Sequence, residues 1–188
     1  MIEPVTLRTA RFVLSMPRAA DVEAVFAACQ DAELQRFVAV PVPYERTHAE
    51  GFVVNLVPQW WREDVEYVFG IRENDDAPLT GVVSWQREVG AVGYWLAAQH
   101  RGRGVMTEAL GAVVDWVFER HSSDHVWWEA VKGNVGSAVV AQRCGFRWEG
   151  LGQISNARPG QETRGWKASL SRSDHEAGAL DTEWPVLA

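Results

Sequence analysis

The stretch from Gly90 to Trp116, GAVGYWLAAQHRGRGVMTEALGAVVDW, constrains the fold more than any other part of the chain. Ala91–Leu96 is an apolar and aromatic run of strand length. Gln99–Gly104 breaks it. From Val105 onward Met106, Ala109, Leu110, Val113, Val114 and Val117 fall on one face of a helix. A glycine turn that feeds a helix leaves backbone N–H groups that no carbonyl satisfies. Together with the positive end of the helix dipole they suit a phosphate. Gly102 and Gly104 permit positive φ and a close approach of a ligand to the backbone, so the stretch reads as a pyrophosphate cradle. A dinucleotide fingerprint would want a third glycine, where Thr107 stands. A P-loop lysine is missing too, since Lys132 and Lys167 are the only lysines.

The rest of the chain supplies elements around this joint. Val5–Leu14 reads as a first strand with a turn inside it, and Asp21 as the N-cap of a short helix through Val22, Val25, Phe26 and Cys29. Asp31–Phe37 is a further helical turn. Pro41 and Pro43 make Val38–Tyr44 a loop. Thr47 is placed to cap a helix that runs through Phe52, Val53, Leu56 and Val57 and ends near Pro58–Trp61. Glu66–Arg72 and Leu79–Arg87 are strands joined by the turn ENDDAP. After the long helix come a strand at His125–Val131, a short helix capped by Asn134 and stopped by Gly145, and strands at Phe146–Ile154 and Glu162–Leu170. The central strand, helix, strand run requires a right-handed crossover. The expected fold is therefore α/β, a mixed and mostly antiparallel sheet of about seven strands with helices on both faces.

Composition narrows the class. A chain of 188 residues is one domain's worth, expected at 1–174 with a C-terminal tail at 175–188. No apolar run reaches about 18 residues and the N-terminus has no signal pattern, so no membrane partner and a cytoplasmic setting are expected. Cys29 and Cys144 read as reduced, buried thiols, and no Cys/His pair has metal-ligand spacing. The net charge of −7 argues against nucleic acid and is compatible with a cationic amine.

Gln99-x-x-Gly102-x-Gly104, with the flanking GYWL and RGRGVMTEAL, resembles the acyl-CoA motif of the GNAT superfamily of N-acetyltransferases. The likeness extends over about Thr6 to Leu170 and is greatest to the branch that acetylates ribosomal-protein N-termini. It implies a splayed central strand pair with CoA in the gap, acetyl-CoA as co-substrate, and a peptide or small-molecule primary amine as acceptor, in a monomer or homodimer. On this resemblance the cradle comprises Gln99, Gly102, Gly104, Val105 and Met106, with Arg101 and Arg103 as candidate charge partners. The backbone of Trp95 and Leu96 would pair with the pantetheine arm and stabilise the oxyanion.

Asn134 and Ser137 alone would be a helix cap and a first-turn serine. Within WxAxxGNxxS, followed by Cys144-Gly145-Phe146, they resemble the second CoA wall. The resemblance assigns the pantetheine contact to Asn134 and the protonation of the leaving thiolate to Ser137. The proton acceptor departs from the branch's pattern. Its carboxylate positions are Ala91 and the loop around Asn156 here, which leaves Glu129 as the candidate base, with a water-relayed proton loss as the alternative. Trp60, Trp61, Trp85, Trp127, Trp128, Trp148 and Trp166 are expected mostly in the core, with one or two lining the acceptor pocket. The competing reading is a CoA-binding sensor or interaction module without efficient catalysis.

Overall fold

A computed structural model of the chain describes residues 4–155, 157–158, 160 and 162–187. In order the elements are β1 (Leu7–Arg8), β2 (Val13–Ser15), α1 (Val22–Ala28), α2 (Ala32–Phe37), α3 (Arg46–Glu50), a π-helical segment (Gly51–Leu56), α4 (Val57–Glu63), β3 (Glu66–Arg72), β4 (Gly81–Gln86) and β5 (Ala91–Leu96). After these come α5 (Val105–Arg120), β6 (His125–Ala130), α6 (Val135–Arg143), β7 (Arg147–Gln153), β8 (Arg164–Ser171) and α7 (Arg172–Glu176). The strands form one sheet in the order β1-β2-β3-β4-β5-β6-β8-β7. It has eight strands because the turn inside the expected first strand divides it: Thr9 N–H bonds the Phe12 carbonyl and β1 folds back on β2.

Only β5 and β6 run parallel, and they pair through two positions, Ala91 with Trp127 and Val92 with Trp128. Beyond Val92 the two strands have no register partner in each other, which opens a gap in the middle of the sheet. Alternation of side chains sets the two faces. Tyr67, Phe69 and Trp85 meet Trp116 of α5 in an aromatic core on one face. Glu66, Val68, Val82 and Ser84 point to the other, towards α1 and the α3–α4 helix.

Three local expectations change. Asp21 does not cap α1 with its side chain. Its carboxylate accepts from the Arg18 N–H at 2.8 Å and pairs with the fully buried Arg72 guanidinium, a partner found 51 positions away. The α3 cap is Glu45, whose N–H donates to His48 Nδ1 at 2.9 Å, rather than Thr47. The helix continues past Pro58 to Glu63, and the π-helical turns lie just before this proline, which has no N–H to give to the ladder. The tail is anchored as well: Trp184 is buried, with its ring 5.5 Å from Trp128 and 5.3 Å from Trp148. Among the described residues no helix is long and apolar enough to cross a membrane, and no His/Cys/Asp/Glu group could hold a metal.

Candidate active site

Two cavities meet at the gap. One, of about 320 Å³, runs between the start of α5 and α6. The other, of about 570 Å³, lies on the opposite face, roofed by α1, the 37–41 loop and the π-helical turns. They share Phe37, Val38, Tyr94, Trp95, Asn134 and Ser137.

The smaller cavity contains the cradle. Gly102 and Gly104 have φ of +74° and +72°, in the left-handed region, so their lack of a Cβ is what lets the turn enter α5 in this way. Gly104 is the N-cap of α5, and no side chain caps the helix. Val105, Met106 and Thr107 therefore present their N–H groups to the cavity, while the Val105 and Met106 side chains are buried in the core. The arginines separate. Arg101 is committed: it donates to Asp31, to Glu33 at 3.1 Å and to the Leu96 carbonyl at 3.1 Å. Its guanidinium, already matched by two carboxylates, braces the turn against α2, and the residue also lines the cavity. Arg103 is exposed, and its guanidinium makes no hydrogen bond or ion pair among the described residues. Arg143, at the end of α6, lines the cavity in the same free state, a residue that its place in a helix's last turn does not single out. Gln99 is exposed in a 3₁₀ turn and lines neither cavity.

The phase of the β4–β5 ladder decides which main-chain donors face the gap. The Ala97 N–H bonds the Thr80 carbonyl, and the same register pairs Trp95 with Val82. On the other edge Trp127 N–H bonds the Gly90 carbonyl. Because alternate residues of a strand direct their N–H and C=O to opposite neighbours, the N–H groups of Tyr94 and Leu96 point into the gap, and that of Trp95 is used in the ladder. Leu96 thus directs its N–H into the gap. Trp95 lines both cavities, and Tyr94 takes its place as the main-chain donor directed into the gap.

Across the gap, α6 is held in place by side chains. Asn134 Oδ1 caps it, accepting from the Ser137 N–H at 3.2 Å, which leaves the Asn134 amide N–H groups free at the junction of the cavities. Ser137 Oγ accepts from Trp128 Nε1 at 3.0 Å, and the Ser137 carbonyl accepts from the Tyr94 hydroxyl at 2.8 Å. A serine oxygen that is already accepting has its own proton available for another partner. Burial drives the Tyr94 phenol well above its ordinary pKa, so it stays a neutral donor that ties β5 to α6.

Glu129 lines the larger cavity from β6. Its Oε1 accepts from the Ser155 N–H at 2.6 Å and from the Ser155 hydroxyl, and Lys167 Nζ lies 3.8 Å from Oε2. Asn156 lies outside the described residues. A second acid, which the sequence pattern does not single out, faces the same cavity: Glu66, at the start of β3. An acid that begins a β-strand on the alternating pattern reads as an outward polar residue; only the roof of α3 and the π-helical turns turns that position inward. Burial raises its carboxyl above the ordinary value, with hydrogen bonds from Ser84 and Gln86 opposing. Of the tryptophans, Trp60, Trp95 and Trp128 line this cavity. Cys29 also lines it, but burial pushes its thiol up to about 11, a protonated and poor nucleophile.

Residues 11–147 match the acetyltransferase (GNAT) domain family. The chain belongs to the GNAT family. YjcK, a probable N-acetyltransferase of Bacillus subtilis (strain 168), is 38% identical over 95 residues, 47% of this chain and 52% of its own length. The chain spans between about half and three fifths of the curated relatives it matches. A candidate ribosomal-protein-serine acetyltransferase of Vibrio cholerae superposes with a TM-score of 0.79 at 25% identity, over 91% of this chain and 99% of that one. RimL, the ribosomal L7/L12 α-N-protein acetyltransferase solved with coenzyme A, shares the fold with a TM-score of 0.76 at 18% identity, over 89% and 98% of the two chains.

Proposed function

We propose that the chain transfers an acetyl group from acetyl-CoA to a primary amine by direct attack of the amine on the thioester. The observation that carries this reading is the junction of the two cavities at Tyr94, Trp95, Asn134 and Ser137. One cavity has the donors a CoA needs, the other has two carboxylates, and a gap between strands joins them. The uncapped N–H groups of Val105, Met106 and Thr107 hold the pyrophosphate, with Arg103 and Arg143 as its charge partners. The pantetheine arm lies along β5 as an added strand, against Leu96 and the Asn134 amide. The thioester supplies the activated acyl group.

Each remaining requirement falls to a residue at the junction. The Tyr94 N–H, directed into the gap, stabilises the charge that develops on the thioester oxygen. Glu129 takes the proton that the amine loses, directly or through one water, and its contacts with Ser155 fix its orientation. Ser137 gives its proton to the departing thiolate, with Trp128 holding the oxygen from behind. No acyl-enzyme is needed, and the Cys29 thiol is too weakly acidic to form one readily.

The test has two stages. Thermal unfolding with acetyl-CoA, CoA, NAD and ATP should show stabilisation by the two CoA species alone. Thiol release should then require an added amine. Binding of NAD or ATP in preference to CoA would overturn the cradle; CoA binding with no amine-dependent thiol release would reduce the protein to a CoA-binding module.

A further inference from the structure

The larger cavity has an uneven charge. Its walls are mostly aliphatic and aromatic, and among the described residues they include two carboxylates, Glu66 and Glu129, yet no lysine or arginine. The two acids are in different states. Glu129 stands near the gap, two residues past Trp127 of the β5–β6 pairing, with Lys167 and Ser155 beside it. Glu66 stands on the far wall and takes part in no ion pair among the described residues; its only partners there are the neutral Ser84 and Gln86. The remaining titratable side chains on the walls are Cys29, Tyr44, His48 and Tyr94, and His48 Nδ1 is occupied by the Glu45 N–H. Glu66 is half-buried, and a carboxylate so placed without a counter-charge is costly; either a proton or a cation relieves it.

The sheet gives its distance from the chemistry. Glu66 pairs with Gln86, and Gln86 with Ala91, so Glu66 lies two strands from β5 and three residues back from Tyr94. At ordinary strand spacing and rise, the Cα atoms of Glu66 and Tyr94 are about 14 Å apart. That is too far for Glu66 to take a proton from the attacking nitrogen. The glutamate side chain stands off the sheet on the face where the acceptor enters, so the separation of its carboxylate from the attacking nitrogen stays on the order of 10 Å. Ser84 lies between them on β4, with Val68 beside it on β3 and Val82 just beyond, all on the same face of the sheet.

We propose that Glu66 binds a second cationic group of the acceptor, so that the preferred substrate is a primary amine with another positive charge about 10 Å from the nitrogen that is acetylated. This rests on the amine-transfer reading above and sharpens it. The aliphatic wall accepts an uncharged methylene spacer, and the unpaired carboxylate selects a cation at the spacer's far end. A long-chain diamine and a peptide whose second residue is lysine both present this chemistry.

The experiment compares matched acceptors on the full chain. Octylamine and 1,8-diaminooctane have the same methylene spacer and differ in one distal charge; the dipeptide amides Ala-Leu and Ala-Lys form the second pair. With wild type, the cationic member of at least one pair should have the lower KM. In Glu66→Gln its KM should rise about tenfold, while kcat and the constants for the uncharged member stay within about twofold. Which pair responds identifies the source of the amine. Thermal unfolding and acetyl-CoA binding should be unchanged, because the isosteric amide keeps the contacts with Ser84 and Gln86. Equal use of charged and uncharged members by wild type, or an equal effect of Glu66→Gln on both, would overturn the inference and leave amine transfer standing. No turnover of any of the four would overturn the transfer reading and this inference with it.

Discussion

On the β5–α5 side of the gap a ligand meets main chain: N–H groups of Tyr94 and Leu96 from an unpaired strand edge, and those of Val105 to Thr107 from an uncapped helix start. On the acceptor side it meets side chains gathered from α1, the 37–41 loop, α3, the π-helical turns, β3, β4 and β6. The first arrangement depends on backbone conformation within a short run of consecutive residues. The second depends on packing among segments far apart in the chain. The cradle should therefore be sensitive to shape at single glycines and tolerant of side-chain exchange. The acceptor side should show the reverse, with large effects where one functional group is removed and the backbone is untouched.

The largest expected effect tests the acceptor side. Glu129→Gln keeps size and shape, and removes the carboxylate proposed to take the proton. It should lower kcat/KM by about 10²–10⁴-fold and abolish the rising acid limb of its pH profile. The sign comes from the role: a base works ionised, so the wild-type rate rises with pH through its ionisation. A limb that survives in the variant and tracks the pKa of whichever acceptor is used would show that the amine deprotonates in solution, and would remove Glu129 from the mechanism.

The next tests the cradle. Gly104→Val introduces a Cβ at φ +72°, where the nearest atom outside the turn is an Arg11 nitrogen 3.5 Å away. The fold has room for it, at a conformational cost of about 1–2 kcal/mol. The backbone can no longer hold its N–H groups at the same approach, and acetyl-CoA affinity should fall about 100-fold, or about 2.7 kcal/mol. Calorimetry at matched fold stability reads this directly. Near-wild-type affinity would mean that the phosphates sit elsewhere. By contrast Arg101→Lys, which loses the bidentate reach to Asp31 and Glu33, should act on the thermal unfolding midpoint more than on affinity.

The same contrast separates what is legible in the chain from what is not. The cradle, the α6 cap at Asn134 and the crossover around α5 are legible, because glycine, cap and periodicity signals act over one or two turns. Ser137 is legible only through its place beside them. Arg101 is not, because a guanidinium in a phosphate-binding turn and one clamped by Asp31 have the same local sequence; the partner lies 70 positions away. Trp95 and Tyr94 exchange backbone roles because the ladder phase is set by pairing with β4, which the pattern Ala91–Leu96 does not contain. Glu66 escapes a sequence reading since its inward position is created by the α3–α4 helix. Trp184, in a polar and then apolar C-terminal stretch, gives no periodic signal, yet it packs under Trp128 and so behind Ser137.

Ser137→Ala lies between the two sides, on α6 and lining both cavities. Loss of the hydroxyl should reduce kcat about 10–100-fold and leave acetyl-CoA binding within about twofold, since the interaction with the leaving sulfur exists only as the bond breaks. Thioesters with a more acidic thiol should need less help. If the variant turns over like wild type, Ser137 is only a helix-start residue and the thiolate leaves unassisted.

The smallest effect is the most discriminating. Trp128→Phe keeps an aromatic ring against Trp184 and removes the indole N–H that donates to Ser137 Oγ. Without that donor the serine oxygen can turn and accept elsewhere, and its proton is less often aimed at the sulfur. A fall of about three- to tenfold in kcat is expected, with the KM for acetyl-CoA unchanged, in keeping with one neutral hydrogen bond of about 1 kcal/mol. Packing loss could mimic this, so the decisive measurement is the double variant. If Trp128 acts through Ser137, then Trp128→Phe should have little further effect on kcat in the Ser137→Ala background. Additive losses would mean that the indole serves the core alone. The hydroxyl would then be oriented from within α6, and the acceptor side would depend on fewer distant residues than its geometry implies.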